Sequence, residues 1–218
     1  MAKRLKTLVI GVTGHRNIEE KSAALRSAVR DALTAAVAEY KPEEAVIISP
    51  LAEGADRLVA REVIALLGAR LVVPLPVPQD SYEMDFAKSV GAFRKLLRNA
   101  DDVFVIPLPK RSEGWRDYSP ARNTQYARAG AYVAQHCHVL IAIWDGAPAR
   151  GVGGTAHVVQ WFRRGLARRT VAEVPAKCAI DNNGRLPIVR ALRLIVVNPN
   201  GKVAPTLGVA QSARDDGR

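Results

Sequence analysis

The residues of this chain best suited to chemistry lie at 144–155, where Trp144, Asp145 and Gly146 are followed by Gly151, Gly153, Gly154 and Thr155. An apolar run at 139–143 precedes them and a helical pattern follows, so the stretch reads as strand, glycine loop and helix start. Glycines permit positive φ and close backbone approach, and the first turn of a helix offers free N–H groups to an anion. The chemistry predicted is a phosphate cradle, although a flexible strand-to-helix turn would use the same glycines. A second polar cluster, Thr13, Gly14, His15 and Arg16, leaves another β-rich run. Arg16 can pair with a phosphate bidentately, and His15 can donate to it or stack beneath a base; the competing reading is a surface turn. A third cluster, at 49–56, holds Ser49, Glu53, Gly54 and Asp56. Carboxylates would repel a phosphate, so Glu53 and Asp56 are assigned to ribose hydroxyls. For Asp56, a helix cap or first-turn acid explains the residue equally well.

Around these, Trp144 can wall a pocket or simply end a buried strand, and Asp145 stands where a short carboxylate at a strand exit faces the crevice. Tyr82 and Asn123 complete the rim. His136, Cys137 and His138 invite a metal reading, but alternate residues at a strand entry point to opposite sides and no further ligand cluster accompanies them. No metal is expected.

The elements that must carry these residues alternate. Strands are predicted at 7–12, 45–51, 70–76, 102–108, 139–143 and 192–197, the last at a sheet edge. Between them, Leu25, Val29, Leu33, Val37 and Tyr40 mark one helix, and Leu58, Val59, Val63, Leu66 and Leu67 form the buried face of another that ends at Gly68. A further helix runs to about Arg98 with Asp80 or Ser81 as its cap, and a small-residue helix at 120–136 can lie close against the sheet. The polar connection 110–119, with Trp115 and Tyr118, reads as a lid or as a solvated loop whose aromatics pack down. Near-continuous apolar strands separated by helices predict an α/β fold: a doubly wound, mostly parallel, Rossmann-like sheet with helices on both faces. Every strand then exits toward one edge. The loops after strands one, two, three and five meet there, where ligands of such folds bind.

Composition sets the outer limits. A chain of 218 residues, 48% hydrophobic, can bury a sizeable core, and one domain over 1–200 with a frayed tail at 201–218 is expected. No apolar run approaches the roughly 20 residues that cross a bilayer, and the basic start leads into a strand, so a cytoplasmic location is expected. Two cysteines, Cys137 and Cys178, make no disulfide framework. The net charge of +11 is scattered, with one cluster at Arg163, Arg164, Arg168 and Arg169 that suits a solvated helix end. Nucleic acid is therefore not the expected partner, although the surplus can steer an anionic ligand.

Taken in order, Gly11 to Arg16, Leu51 to Asp56, and Trp144 to Gly146 with Gly153 to Thr155 resemble the motifs of the SLOG superfamily. It groups DNA-processing proteins, the cytokinin-activating LOG phosphoribohydrolases and nucleotide-sensing domains of bacterial conflict systems and TRPM channels. The resemblance covers about residues 7–169 and is strongest to the stand-alone, sensor-type members. It implies a Rossmann-like domain that binds a nucleotide or a nucleotide-derived signal, including one made from NAD, with Gly153, Gly154 and Thr155 on its phosphate. The LOG enzymes carry a catalytic Glu in a Pro-Gly-Gly-x-Gly-Thr-x-x-Glu pattern, and Val158 occupies that place here. Valine supplies neither charge nor proton. A sensor module is thus the expected function, acting as a homodimer or larger homo-oligomer. The alternatives are an N-glycosidic hydrolase of nucleoside monophosphates, with Glu53 and Asp56 as its acids, and single-stranded DNA binding.

Overall fold

Short runs of β-branched and aliphatic residues build the sheet: β1 (Thr7–Gly14), β2 (Glu44–Ile48), β3 (Arg70–Leu75), β4 (Asp102–Val105), β5 (Val139–Ile143) and β6 (Arg193–Val197). In the computed structural model, which describes residues 5–107, 119–149, 151–164 and 191–204, they pair in the order β4-β3-β2-β1-β5-β6. Every pairing between these strands is parallel. Parallel strands need crossovers, and the helices supply them: α1 (Ala23–Tyr40), α2 (Ala55–Leu67), α3 (Gln79–Glu83), α4 (Val90–Leu97), α5 (Pro120–His136) and α6 (Thr155–Arg164).

The strands read as continuous apolar runs because both of their faces are covered. Leu8, Ile10 and Val12 of β1 meet Leu25, Val29 and Leu33 of α1 and Leu58 and Val59 of α2 in one core. Val9 and the alternate residues Leu140 and Ala142 of β5 meet Ala131, Val133 and Phe162 of α5 and α6 in the other. The helix after β1 thus lies on one face and the helix after β5 on the opposite face, which makes the gap between these adjacent strands the topological switch point. The fold is the expected doubly wound, Rossmann-like α/β sandwich.

Several local expectations need correction. The helix expected to run to Arg98 is broken into α3, a 3-10 turn at Met84–Ser89 and α4, with the break at Phe86 (φ −145°, ψ 45°). That break seats the Phe86 ring 4.9 Å from Tyr82 and 5.0 Å from Phe93, centroid to centroid. Its start is also earlier than expected: Pro78 holds the cap position, and Asp80 lies in the first turn. Leu66, assigned to the buried face of α2, is 44% exposed. Strands β2, β3 and β4 stop one to three residues before their expected ends. The tail does not begin at Gly201, because Val203 bridges Val197 antiparallel and Ala204 N–H donates to Val196 O.

Small residues of α5 pack inside the chain, with Ala127 under Gly153 and Gly130 under Val158. Cys137 is fully buried in the core, where burial pushes its thiol well up. The expected lid residues Trp115 and Tyr118, Arg150, the cations Arg168 and Arg169, Cys178 and the tail from 205 lie outside the described residues. Among the described residues, no helix is long and apolar enough to cross a membrane.

Candidate functional site

The loops that leave β1, β2, β3 and β5 line a crevice of about 740 Å³ along the C-terminal edge of the sheet. Two of them are locked together by a glycine. Gly54 (φ 77°) lies so close to the first loop that a Cβ there would stand 2.2 Å from Arg16 O and 2.5 Å from His15 O. Ala55 N–H donates to His15 O at 3.1 Å, so the first turn of α2 carries the His15-Arg16 backbone. The second loop also contains Leu51 at φ 61°, a costly conformation for a branched side chain. Buried Arg57 holds it, donating from Nε to Leu51 O at 2.9 Å and from Nη1 to Ser89 Oγ at 2.7 Å, with its guanidinium 4.6 Å over the Phe86 ring.

The glycine loop rests on α5: at Gly153 (φ 82°) a Cβ would stand 2.5 Å from Ala127 Cα. Its amides divide into two sets. Gly153 N–H donates to His157 Nδ1 and Gly154 N–H to Gly151 O, whereas Thr155 and Ala156 open α6 at the crevice wall. The first N–H groups of a helix have no intrahelical acceptor, so the amides facing an anion here are those of Thr155 and Ala156. Across the switch point, His15 Nε2 lies 3.1 Å from Asp145 Oδ1. Asp145 is held below the usual carboxylate range, first by Ala147 N–H donating to Oδ1 and then by His15.

The other end of the crevice is acidic and aromatic. Asp56 is 8% exposed, and burial pushes its carboxyl up to about 7 against the opposing pull of Ala52 N–H, Arg16 and Arg57. Tyr82 is fully buried, and desolvation first, then the charge of Asp56, raises its hydroxyl well above the ordinary phenol range. Arg16 reaches over the Tyr126 ring, 5.4 Å from its centroid, and lies 3.9 Å from Asp85. Asp85 is already held by Arg122 at 2.8 Å and by the Tyr126 hydroxyl.

No protein-family model and no curated protein matches this chain.

The crevice therefore speaks through its own residues. Thr13, Gly14, His15, Arg16, Asp56, Tyr82, Trp144, Asp145, Gly153, Gly154 and Thr155 all line it. Five residues expected there do not. Ser49 is fully buried and braces the turn, its Oγ accepting from Leu51 N–H. Glu53 turns away and accepts from Ser89 Oγ; Gly54 packs behind the wall and donates its N–H to Glu20. Asn123 is exposed on the first turn of α5, and Gly146 is an exposed turn residue. Trp144 serves both roles offered for it, lining the crevice while packing on the second core, with Nε1 donating to Ala147 O.

Asp56 is not the cap of α2; Gly54 holds that position, and Asp56 Oδ2 reaches back to accept Ala52 N–H. Tyr126, Gly130 and Pro199 also line the crevice. Arg122, Tyr126 and Gly130 recur at helical spacing, a signal present in the sequence, whereas nothing local marks Pro199. His136 stacks on Tyr132, and His138 Nδ1 accepts Val9 N–H, so the pair around Cys137 is structural. Val158 is 2% exposed beneath the glycine loop and offers the crevice only methyl groups.

Proposed function

We propose that this chain is a nucleotide-binding sensor module of the SLOG type, with its ligand's phosphate on Thr155 and Ala156 and its nucleoside across the switch point toward β2 and β3. The observation that supports this most is the convergence of a glycine-rich helix start and the His15-Arg16 loop on one crevice at that switch point. Arg16 supplies a half-exposed cation to the phosphate, and Trp144 supplies an apolar wall. A crevice of about 740 Å³ suits a nucleotide or an NAD-derived ligand. Assembly into a homo-oligomer belongs to the same proposal, with Val103 and Val105, exposed on the edge strand β4, as the apolar surface to be covered.

The test is thermal unfolding against mononucleotides, dinucleotides and cyclic NAD-derived compounds, with base release followed in the same samples. A ligand at a hundredfold its Kd adds about 2.7 kcal/mol to stability. The expected result is a shift with one ligand that survives intact, and loss of that shift in Arg16→Ala and Thr155→Val. Absence of any shift across the panel would falsify the reading.

One observation favours hydrolysis of an N-glycosidic bond as a second reading. Asp56, with its carboxyl near 7 inside the crevice, has the poise of a general acid or base. Glu53 drops out of that role because it faces Ser89. Release of a free base in the same samples, abolished by Asp56→Asn, would establish it.

A further inference from the structure

Tyr82 is a buried polar side chain whose position a phenylalanine would fill equally well by shape. Its ring is wholly inside, edge-on to Phe86 and Phe93 at 4.9 and 5.7 Å, yet its hydroxyl has no hydrogen-bond partner among the described residues. A buried hydroxyl left unpaired destabilises the fold, a cost that packing alone does not explain. The residue lines the crevice, and so does Asp56. Asp56 Oδ2 accepts Ala52 N–H at 3.2 Å, and Oδ1 has no hydrogen-bond partner among the described residues.

On one crevice, a hydroxyl and a carboxylate oxygen that have no partner among the described residues select for a particular chemistry. A phosphate is excluded by the charge of Asp56. A divalent cation would need further carboxylates, and the nearby Asp85 is already committed to Arg122 and Tyr126. A hydroxyl group both donates and accepts, so it satisfies the two side chains together. We propose that Asp56 and Tyr82 form a sugar-hydroxyl subsite that makes the crevice select ribonucleotides over their deoxy counterparts. This rests on the nucleotide reading above.

In it, one ribose hydroxyl donates to Asp56 Oδ1 and accepts from the Tyr82 hydroxyl. The sheet order fits: Asp56 follows β2, Tyr82 follows β3, and the glycine loop follows β5, with β1 between β2 and β5. The two ends of the site are therefore two strand spacings apart from β2 to β5, about 10 Å. A 5′-phosphate, a ribose and the hydrogen bonds at each end bridge that span. Arg16, on the loop after β1, and the buried Arg57 both act electrostatically on Asp56 and Tyr82, and of the two Arg16 lines the crevice.

The experiment is calorimetric titration of the wild-type chain and Tyr82→Phe with the four nucleoside 5′-monophosphates, each as the ribo, 2′-deoxy and 3′-deoxy form. For the wild type, losing one of the two hydroxyls is expected to weaken binding about tenfold, the effect of leaving buried polar groups unpaired. In Tyr82→Phe, which loses no hydrogen bond among the described residues, that discrimination should fall to within about twofold while the melting temperature of the free protein stays level or rises. Equal affinity of wild type for ribo and deoxy forms overturns the subsite but leaves nucleotide binding standing. So does discrimination that persists unchanged in Tyr82→Phe. If no monophosphate binds, the subsite as drawn here falls, and the wider panel decides the nucleotide reading separately.

Discussion

Asp56 shows how a single carboxyl comes to be set by its surroundings. It sits in the first turn of α2, where helix N–H groups favour negative charge, yet burial dominates and raises its carboxyl to about 7. Its ordinary value is about 3.9, so the unfolded chain releases this proton first as pH rises. The sign is therefore a cost: none below about pH 4, growing to about pH 7 and constant above it. Asp56→Asn keeps an oxygen for Ala52 N–H and removes the charge. It is expected to stabilise the protein by on the order of a few kcal/mol at pH 8 and hardly at all at pH 4. Denaturant unfolding of both proteins from pH 4 to pH 8 measures this, and a difference that stays flat across the range would count against the shift.

Among the elements, the loops of the crevice are held by backbone as much as by side chains. Gly54 cannot accept a Cβ without displacing the His15 and Arg16 carbonyls, and its φ of 77° disfavours any other residue as well. Gly146, at φ 87°, has open space around it, so it carries the conformational cost without the collision. Gly146→Ala should cost about 1 kcal/mol and Gly54→Ala on the order of 3 kcal/mol or more. Equal losses in urea unfolding would mean that the two loops are not in contact. Part of this was legible in advance: Gly14, His15 and Arg16 stand out because polar and glycine residues end an apolar strand. The roles of Arg57 and Ser89 were not, because a charged helix residue and a serine well downstream give no local sign that they meet over a strained Leu51.

At the scale of the molecule, a net charge of +11 would suit a nucleic-acid partner, and where the cations sit sets the salt dependence that tests it. Many cations are paired on the surface away from the crevice: Arg26 and Arg30 share Glu62, and Arg94 pairs with Glu83. Among the described residues, Arg16 is the arginine or lysine that lines the crevice. A single phosphate held there predicts only a few-fold loss of affinity between 50 and 200 mM salt, whereas a single strand contacting 6 or more phosphates loses about 300-fold or more. Titration of the bound mononucleotide and of a single-stranded oligonucleotide at the two salt concentrations separates the cases. A steep slope for the oligonucleotide, with tighter binding than the mononucleotide, would move the protein to the nucleic-acid class.

What the sequence by itself determined is the sheet and its working edge. Continuous apolar strands have to be covered on both faces, alternation with helices makes them parallel, and parallel strands deliver all their exit loops to one side. The order in which glycines and polar residues follow the strands then marks that side. Tertiary structure decided which of those residues share the crevice. Glu53 and Asp56 are equivalent acids on paper, but the Gly54 turn between them sends one to Ser89 and the other into the site. Burial, and the meeting of Asp56 and Tyr82 on one crevice, are properties of chain segments that come together only after folding, so they had no signature in either segment alone.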